Sequence, residues 1–270
     1  MRGVAGGVWP GAVEGEVPVA GGVLPVAVLG DARAPALLML HGWTLDRRMW
    51  ALQAGLARDF RLVAFDRRGF GESTAPADLA AEPDDVLAVA DALGVARFHL
   101  IGNSQGGKVA LAAATKAGER VLSVIVQGTA LDGVMAADEA VPLAAMRADM
   151  RRGDAMTMRA RWAGHPLTRV AAGPARARLD AMLAAYDGRD LLSAGRPLQV
   201  GADVVARIGA PVLALVGADD TPQRRANADA LAAAGAALRV LPGGHLCGME
   251  EPAAFDAAVL DFAGQASALA

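Results

Sequence analysis

The stretch HLIGNSQGGKVAL, residues 99–111, holds two overlapping patterns. From Gly102 to Lys108 it reads G-x-x-x-x-G-K, a loop that cradles phosphate groups but lacks the Ser or Thr that normally follows. From Gly102 to Gly106 it reads G-x-S-x-G, a sharp strand-to-helix turn that lifts a serine hydroxyl off a sheet. Either way a strand enters a tight glycine turn and a helix leaves it. The fold class is therefore α/β, and the choice between the patterns decides the chemistry.

The phosphate pattern fails at its metal. A hydroxyl after the lysine coordinates Mg2+ in such loops, and Val109 stands there instead. The loop also follows several strands rather than the first of its domain. Asp66 and Asp220 end strand-like runs, but neither sits in the context of a nucleotide-hydrolysing site.

Outward from the turn, strand-like and helix-like runs alternate. GVLPVAVLG (22–30), PALLMLHG (35–42), RLVAFD (61–66), RFHLIG (97–102) and VLSVIVQG (121–128) read as strands, several apolar enough to be buried on both faces. Residues 47–57, DDVLAVADALG (84–94) and KVALAAATKAG (108–118) read as helices, the second with an acidic start and Gly94 to end it. The rhythm stops between about Ala130 and Val200, where VPLAAMRADMRRG and ARARLDAMLAAYDG carry apolar residues at helical spacing. PVLALVG (211–217), a helix over 224–235, ALRVLPGG (237–244) and a Pro-started helix over 252–264 resume it. This order predicts a doubly wound, mostly parallel sheet, with residues 1–130 and 200–270 forming its core and 131–199 a helical insertion.

Composition narrows the functions. The chain has 270 residues, 54% hydrophobic and 20% charged, enough to bury a large core. A net charge of −3 gives no electrostatic case for nucleic acid. One cysteine, Cys247, excludes an internal disulfide, and with four histidines makes a metal site no part of the expectation. MRGVAGGVWPGAVEGEVPVAGG lacks the apolar run of a secretory signal, and no apolar run reaches the ~18 residues of a membrane span. A cytoplasmic protein without membrane association is the expectation.

The serine pattern makes demands that the rest of the chain meets. A serine hydroxyl needs a base to take its proton, and the base needs a third group to orient it. On such a sheet the order is Ser, then Asp or Glu, then His, each after a strand. Ser104, Asp220 after PVLALVGA and His245 after ALRVLPGG follow that order. A developing oxyanion needs two N–H donors. Gln105, after the nucleophile, supplies one, and Trp43, in the HGW that follows the early buried strand, supplies the other.

Five segments together resemble the α/β-hydrolase superfamily, over nearly the whole chain. LMLHGWTLDRRMW resembles its oxyanion loop, FDRRGFGES its D-x-R-G-x-G-x-S segment and IGNSQGG its nucleophile elbow. VGADDTP is similar to its acid loop, and LPGGHLCGMEEP to its G-H-x-x-x-x-E-x-P histidine loop. The resemblance implies that the insertion is a small cap over the site and that no cofactor takes part. It implies a serine hydrolase acting on a small-molecule ester or lactone, with HGWTLDRRMW and GNSQGG most like small bacterial esterases and enol-lactonases. Carbon–carbon hydrolases share G-N-S-x-G-G, but their H-G-G-G-P-G loop is absent here. Perhydrolases share much of D-R-R-G-F-G-x-S, but carry methionine where this chain has Gln105. Dehalogenases and epoxide hydrolases use an aspartate nucleophile, which Ser104 is not. A ligand-binding or cyclase-like homologue with little turnover is the alternative outside hydrolysis.

The family spacing from Gly217 selects Asp220, with adjacent Asp219 in reserve and Asp132 a third option. His41 is expected to be structural and His99 to be core. Trp162 and His165 in the insertion are candidates for the substrate pocket, though a surface loop suits His165 equally. Asp66, Arg67 and Arg68 are expected to brace loops behind the site, and Lys108 to face solvent. The arginines of the insertion offer attraction for an anion, balanced by interleaved acids. Oligomeric state is not legible.

Overall fold

The structure, a computed structural model, describes residues 7–136 and 139–268. The outermost ends of the expected core and residues 137–138 of the insertion lie outside them. Eight strands form one sheet in the order β1-β2-β4-β3-β5-β6-β7-β8. They are β1 (Val13–Val19), β2 (Gly22–Leu29), β3 (Ala36–Leu40), β4 (Arg61–Phe65), β5 (Phe98–Asn103), β6 (Val121–Gln127), β7 (Val212–Gly217) and β8 (Ala237–Leu241). β2 runs antiparallel to both β1 and β4, and the remaining pairs are parallel.

Strand periodicity explains how both faces are filled. In β3, Leu37 and Met39 point to one side and Ala36, Leu38 and Leu40 to the other, and each set joins a different apolar cluster. Leu62 and Ala64 against Val63 and Phe65 do the same in β4. A strand buried on both faces carries no polar alternation, which is why these runs read as continuous apolar sequence.

Helices cover each face. α1 (Glu82–Ala92), α2 (Gln105–Ala117) and α6 (Pro222–Ala233) contribute Val86, Val109 and Leu231 to one cluster. α8 (Pro252–Ala268) contributes Phe255 and Val259 to the other. A short α7 (Cys247–Glu250) precedes it. Between β6 and β7 lie α3 (Leu143–Arg151), α4 (Ala155–Ala163) and α5 (Pro174–Ala185). Their Met146, Met158, Leu179 and Met182 belong to the same cluster as Met49 and Trp50, so the insertion shares the core of that face.

Two local expectations change. Residues 13–19, not among the strand-like runs read from the sequence, form β1, mostly exposed and with Pro18 in it, as an edge strand tolerates. Arg47–Arg58 forms 3-10 turns in place of an α-helix, opened by the Asp46 side chain accepting from the N–H of Arg48. Among the described residues no helix is long and apolar enough to cross a membrane.

Candidate active site

The turn between β5 and α2 puts Ser104 at φ 52° and ψ −115°, a left-handed conformation that a side chain rarely adopts. The backbone closes that tightly because Gly106 lacks a side chain; a Cβ there would strike the carbonyls of Leu40 and His41. Ser104 is 9% exposed and opens into a cavity of about 590 Å³ that His245 also lines. Its hydroxyl makes no hydrogen bond to His245 in this state, a contact that such sites often tighten only around substrate.

His245 and Asp220 meet across the ends of β7 and β8. The Nδ1–H of His245 donates to Asp220 Oδ2 at 3.0 Å, with both side chains buried, which leaves Nε2 as the unprotonated ring nitrogen. Asp220 Oδ1 accepts from the N–H of Thr221 at 2.7 Å. The buried Gln127 amide donates to the His245 carbonyl at 2.9 Å and fixes the loop from below. Asp219 is exposed, and Asp132 is engaged elsewhere, so neither reaches the imidazole as Asp220 does.

Two peptide segments border the serine. The N–H of Gln105 stands at the first position of α2, where a helix offers it no acceptor. Trp43 lines the cavity from the loop after β3, and its indole donates to Asp190 Oδ2 at 2.7 Å. Buried Arg67 ties both segments together. Its Nη1 donates to the His41 carbonyl at 2.8 Å and its Nη2 to Gln105 Oε1 at 2.8 Å, while Nε donates to Glu82 at 2.6 Å. His41 Nδ1–H donates to the Gly42 carbonyl, so Nε2 accepts from the Arg67 N–H at 3.0 Å. Burial and then the Arg67 charge push His41 down to about 3, keeping it neutral.

Trp162 lines the cavity, and its indole donates to Thr44 Oγ1 at 2.7 Å. His165 does not line it. It begins a 3-10 turn, accepts from the N–H of Leu167, donates to the Glu139 carbonyl and stacks on Trp162 at 4.7 Å between ring centroids. Both ring nitrogens are spent on local structure, which corrects its expected place in the pocket. Lys108 is corrected too. It lies one helical turn after Ser104, on the face toward the cavity, where it is 9% exposed and pairs with Asp132 at 2.6 Å.

Asp190 and Asn103 escaped the sequence reading. Asp190 lies 147 residues from the tryptophan it holds, and no local pattern announces such a contact. Asn103 is 1% exposed and lines the cavity, with both amide atoms lacking a hydrogen-bond partner among the described residues. Its position beside the serine in GNSQGG was the available signal.

A family model described as an alpha/beta hydrolase family matches residues 37–258. A 2-hydroxymuconate semialdehyde hydrolase of Pseudomonas sp. (strain CF600) is 37% identical over 102 residues, 35% of this chain and 36% of that protein. The match thus spans about a third of that relative's length. A hydrolase structure from Pseudomonas aeruginosa PA01 superposes with a TM-score of 0.79 at 30% identity, covering 94% of this chain and 98% of that one. The enol-lactonase structure from Burkholderia xenovorans LB400 superposes with a TM-score of 0.75 at 25% identity, covering 92% and 99%.

Proposed function

Since the chain belongs to the alpha/beta hydrolase family, we propose that it cleaves a small carboxylic ester or lactone through an acyl-enzyme on Ser104. The observation that carries this reading is the strained serine opening into the same cavity as an imidazole whose Nδ1–H is held by Asp220. Ser104 Oγ attacks the carbonyl carbon while His245 Nε2 takes its proton. Charge on the carbonyl oxygen is met by the N–H groups of Trp43 and Gln105. The C–O bond to the alcohol then breaks, and the imidazolium returns the proton to the leaving oxygen. In a lactone the alcohol stays tethered to the acyl group. Water, deprotonated by His245, attacks the acyl-enzyme, releasing the acid and restoring Ser104. Residues 131–199 act as the cap that shapes the substrate cavity. The substrate is a small cytoplasmic molecule, and the reaction calls for no cofactor.

Short p-nitrophenyl esters and a fluorophosphonate probe test this. Ser104→Ala is expected to abolish labelling and lower kcat by about 10^4-fold or more, as loss of a nucleophile does elsewhere. Serine-independent turnover, or no turnover and no labelling of the parent protein, sinks the acyl-enzyme.

Hydrolysis of a carbon–carbon bond in a vinylogous diketone is the second reading. It is favoured by the muconate semialdehyde hydrolase relative and by the unpaired Asn103 amide in the cavity. A 1,5-diketone assayed beside the esters separates the two.

A further inference from the structure

In the mechanism above Gln105 acts only through its backbone N–H, yet its half-buried side chain also lines the cavity. The amide is held one way round. Arg67 can only donate, so Gln105 Oε1 faces its Nη2 at 2.8 Å and Nε2 is turned away from it. The anchor is rigid. Arg67 is 1% exposed and is held by both oxygens of Glu82, through Nε at 2.6 Å and Nη2 at 3.1 Å. Gln105 Nε2 has no acceptor among the described residues, and unlike both amide atoms of Asn103 it is not sealed from the cavity. An oriented N–H donor therefore stands in the cavity, one residue after the nucleophile.

Sheet order shows which part of a substrate this donor meets. Ser104 follows β5, Arg67 follows β4 and His245 follows β8, in a sheet ordered β4-β3-β5-β6-β7-β8 on this side. The Gln105 side chain thus reaches from the serine back toward the end of β4, away from His245. The leaving oxygen must face His245, because it receives its proton there. The acyl chain accordingly lies on the β4 side, with Gln105.

We propose that the Gln105 side-chain amide is a specificity-determining donor to an oxygen on the acyl chain close to the scissile carbonyl. The substrate class is then a hydroxyacyl or alkoxyacyl ester or lactone. A neutral oxygen matches a neutral amide N–H, and the Arg67 charge behind the amide is already met by Glu82. A site built to bond a substrate oxygen disfavours the analogue that lacks it, because its own polar group is then left unpaired. The proposal rests on the ester or lactone reading of the same cavity.

p-Nitrophenyl methoxyacetate and p-nitrophenyl butanoate have acyl chains of equal length and differ in one ether oxygen. The ratio of their kcat/KM values is compared between the parent and two variants. Gln105→Met keeps the backbone N–H and the length of the side chain but removes the amide. Gln105→Glu keeps an oxygen for Arg67 but removes the Nε2 donor. Each is expected to lower the methoxyacetate-to-butanoate ratio about fivefold, the scale of one neutral hydrogen bond. The greater intrinsic reactivity of methoxyacetate is common to all three proteins and cancels, and any general loss of activity falls on both esters. A ratio unmoved in both variants overturns the proposal, and one that falls in Gln105→Met alone traces to the Arg67 anchor and overturns it too. Failure of the ester reading shows instead as no turnover of either ester by the parent. Methoxymethylboronic and propylboronic acids, which bond to a serine oxygen, then carry the same comparison through the fluorescence of Trp43 and Trp162 in the cavity. An affinity ratio lowered in both variants supports the donor; an unmoved ratio, or no binding, overturns it.

Discussion

Ser104, Asp220 and His245 could be picked from the sequence because each follows an apolar strand in a fixed order, but their tolerances could not. Gly128, at the end of β6, shows this. Its φ is +55°, and a Cβ there would lie 2.7 Å from His245 Nδ1 and 3.1 Å from Asp220 Oδ2. Gly128→Ala is therefore expected to push the imidazole off its aspartate. Misplacing a catalytic group by ~1 Å lowers kcat about 100-fold, whereas the left-handed backbone costs about 1–2 kcal/mol of stability. Steady-state kinetics beside a urea titration checks the pair of effects; full activity in a folded variant means that His245 is not confined by Gly128. Helical phase explains the misses at this scale. Lys108 looked like a surface residue because an isolated helix offers solvent on most sides. The elbow, however, starts α2 at the centre of the molecule, so its first turns have no solvent side. His165 looked available because sequence does not show that a histidine's two nitrogens are already bonded.

Elements show how the insertion between β6 and β7 holds the loop after β3. Two separate segments of the insertion reach consecutive residues of that loop: Asp190 takes the Trp43 indole, and the Trp162 indole takes the Thr44 hydroxyl. The two tryptophans also meet edge to face at 4.8 Å. Thr44 sits at φ 63°, a strained conformation for a β-branched residue that needs such over-determination to persist. With the Trp43 N–H as the proposed oxyanion donor, Asp190 positions it from the insertion. Asp190→Ala is expected to lower kcat about tenfold, short of the ~100-fold or more that follows loss of a donor itself, with a smaller change in KM. Asp190→Asn keeps an acceptor for the indole and is expected to restore most of kcat. Burial pushes the Asp190 carboxyl up, and equal kcat losses in both variants count against positioning. Helices α3, α4 and α5 were legible as apolar spacing, since helical period is local. Where they dock was not, because it depends on contacts such as Trp43–Asp190 between distant parts of the chain. The strand β1 was missed for the opposite reason: it is an edge, and little of it is buried.

Across the whole molecule, buried ionisable groups pull the pH dependence of stability in opposite directions. Burial, then the Arg67 charge, puts His41 near 3, and burial, then the Arg97 charge, puts His99 near 4. Both lie below the unfolded value, so the unfolded chain binds the extra proton. The stability these histidines carry is complete above about pH 6.5 and is lost as pH falls toward their folded values. Asp66 and Glu82 do the reverse. Burial lifts them to about 6 and about 7 against the pull of Arg47 and Arg67, so the folded state binds the proton. Their share is complete below the unfolded carboxylate range and is lost as pH rises through those values. The parent profile is thus a sum of opposed slopes, and one slope is isolated only by removing its group. His99 suits this, lying outside the active-site cavity in β5, between Ser123 at 2.8 Å and Ser267 at 3.1 Å. His99→Gln keeps a polar side chain for the serines and does not titrate. With an unfolded value of 6.5 and a folded value of about 4, His99 should cost the parent about 2 kcal/mol between pH 7.5 and pH 5. Urea unfolding at both pH values is expected to show the parent losing about that much more than His99→Gln. Equal losses would mean that His99 takes up its proton as readily in the fold as in water, and that the β5–α8 packing around it is open.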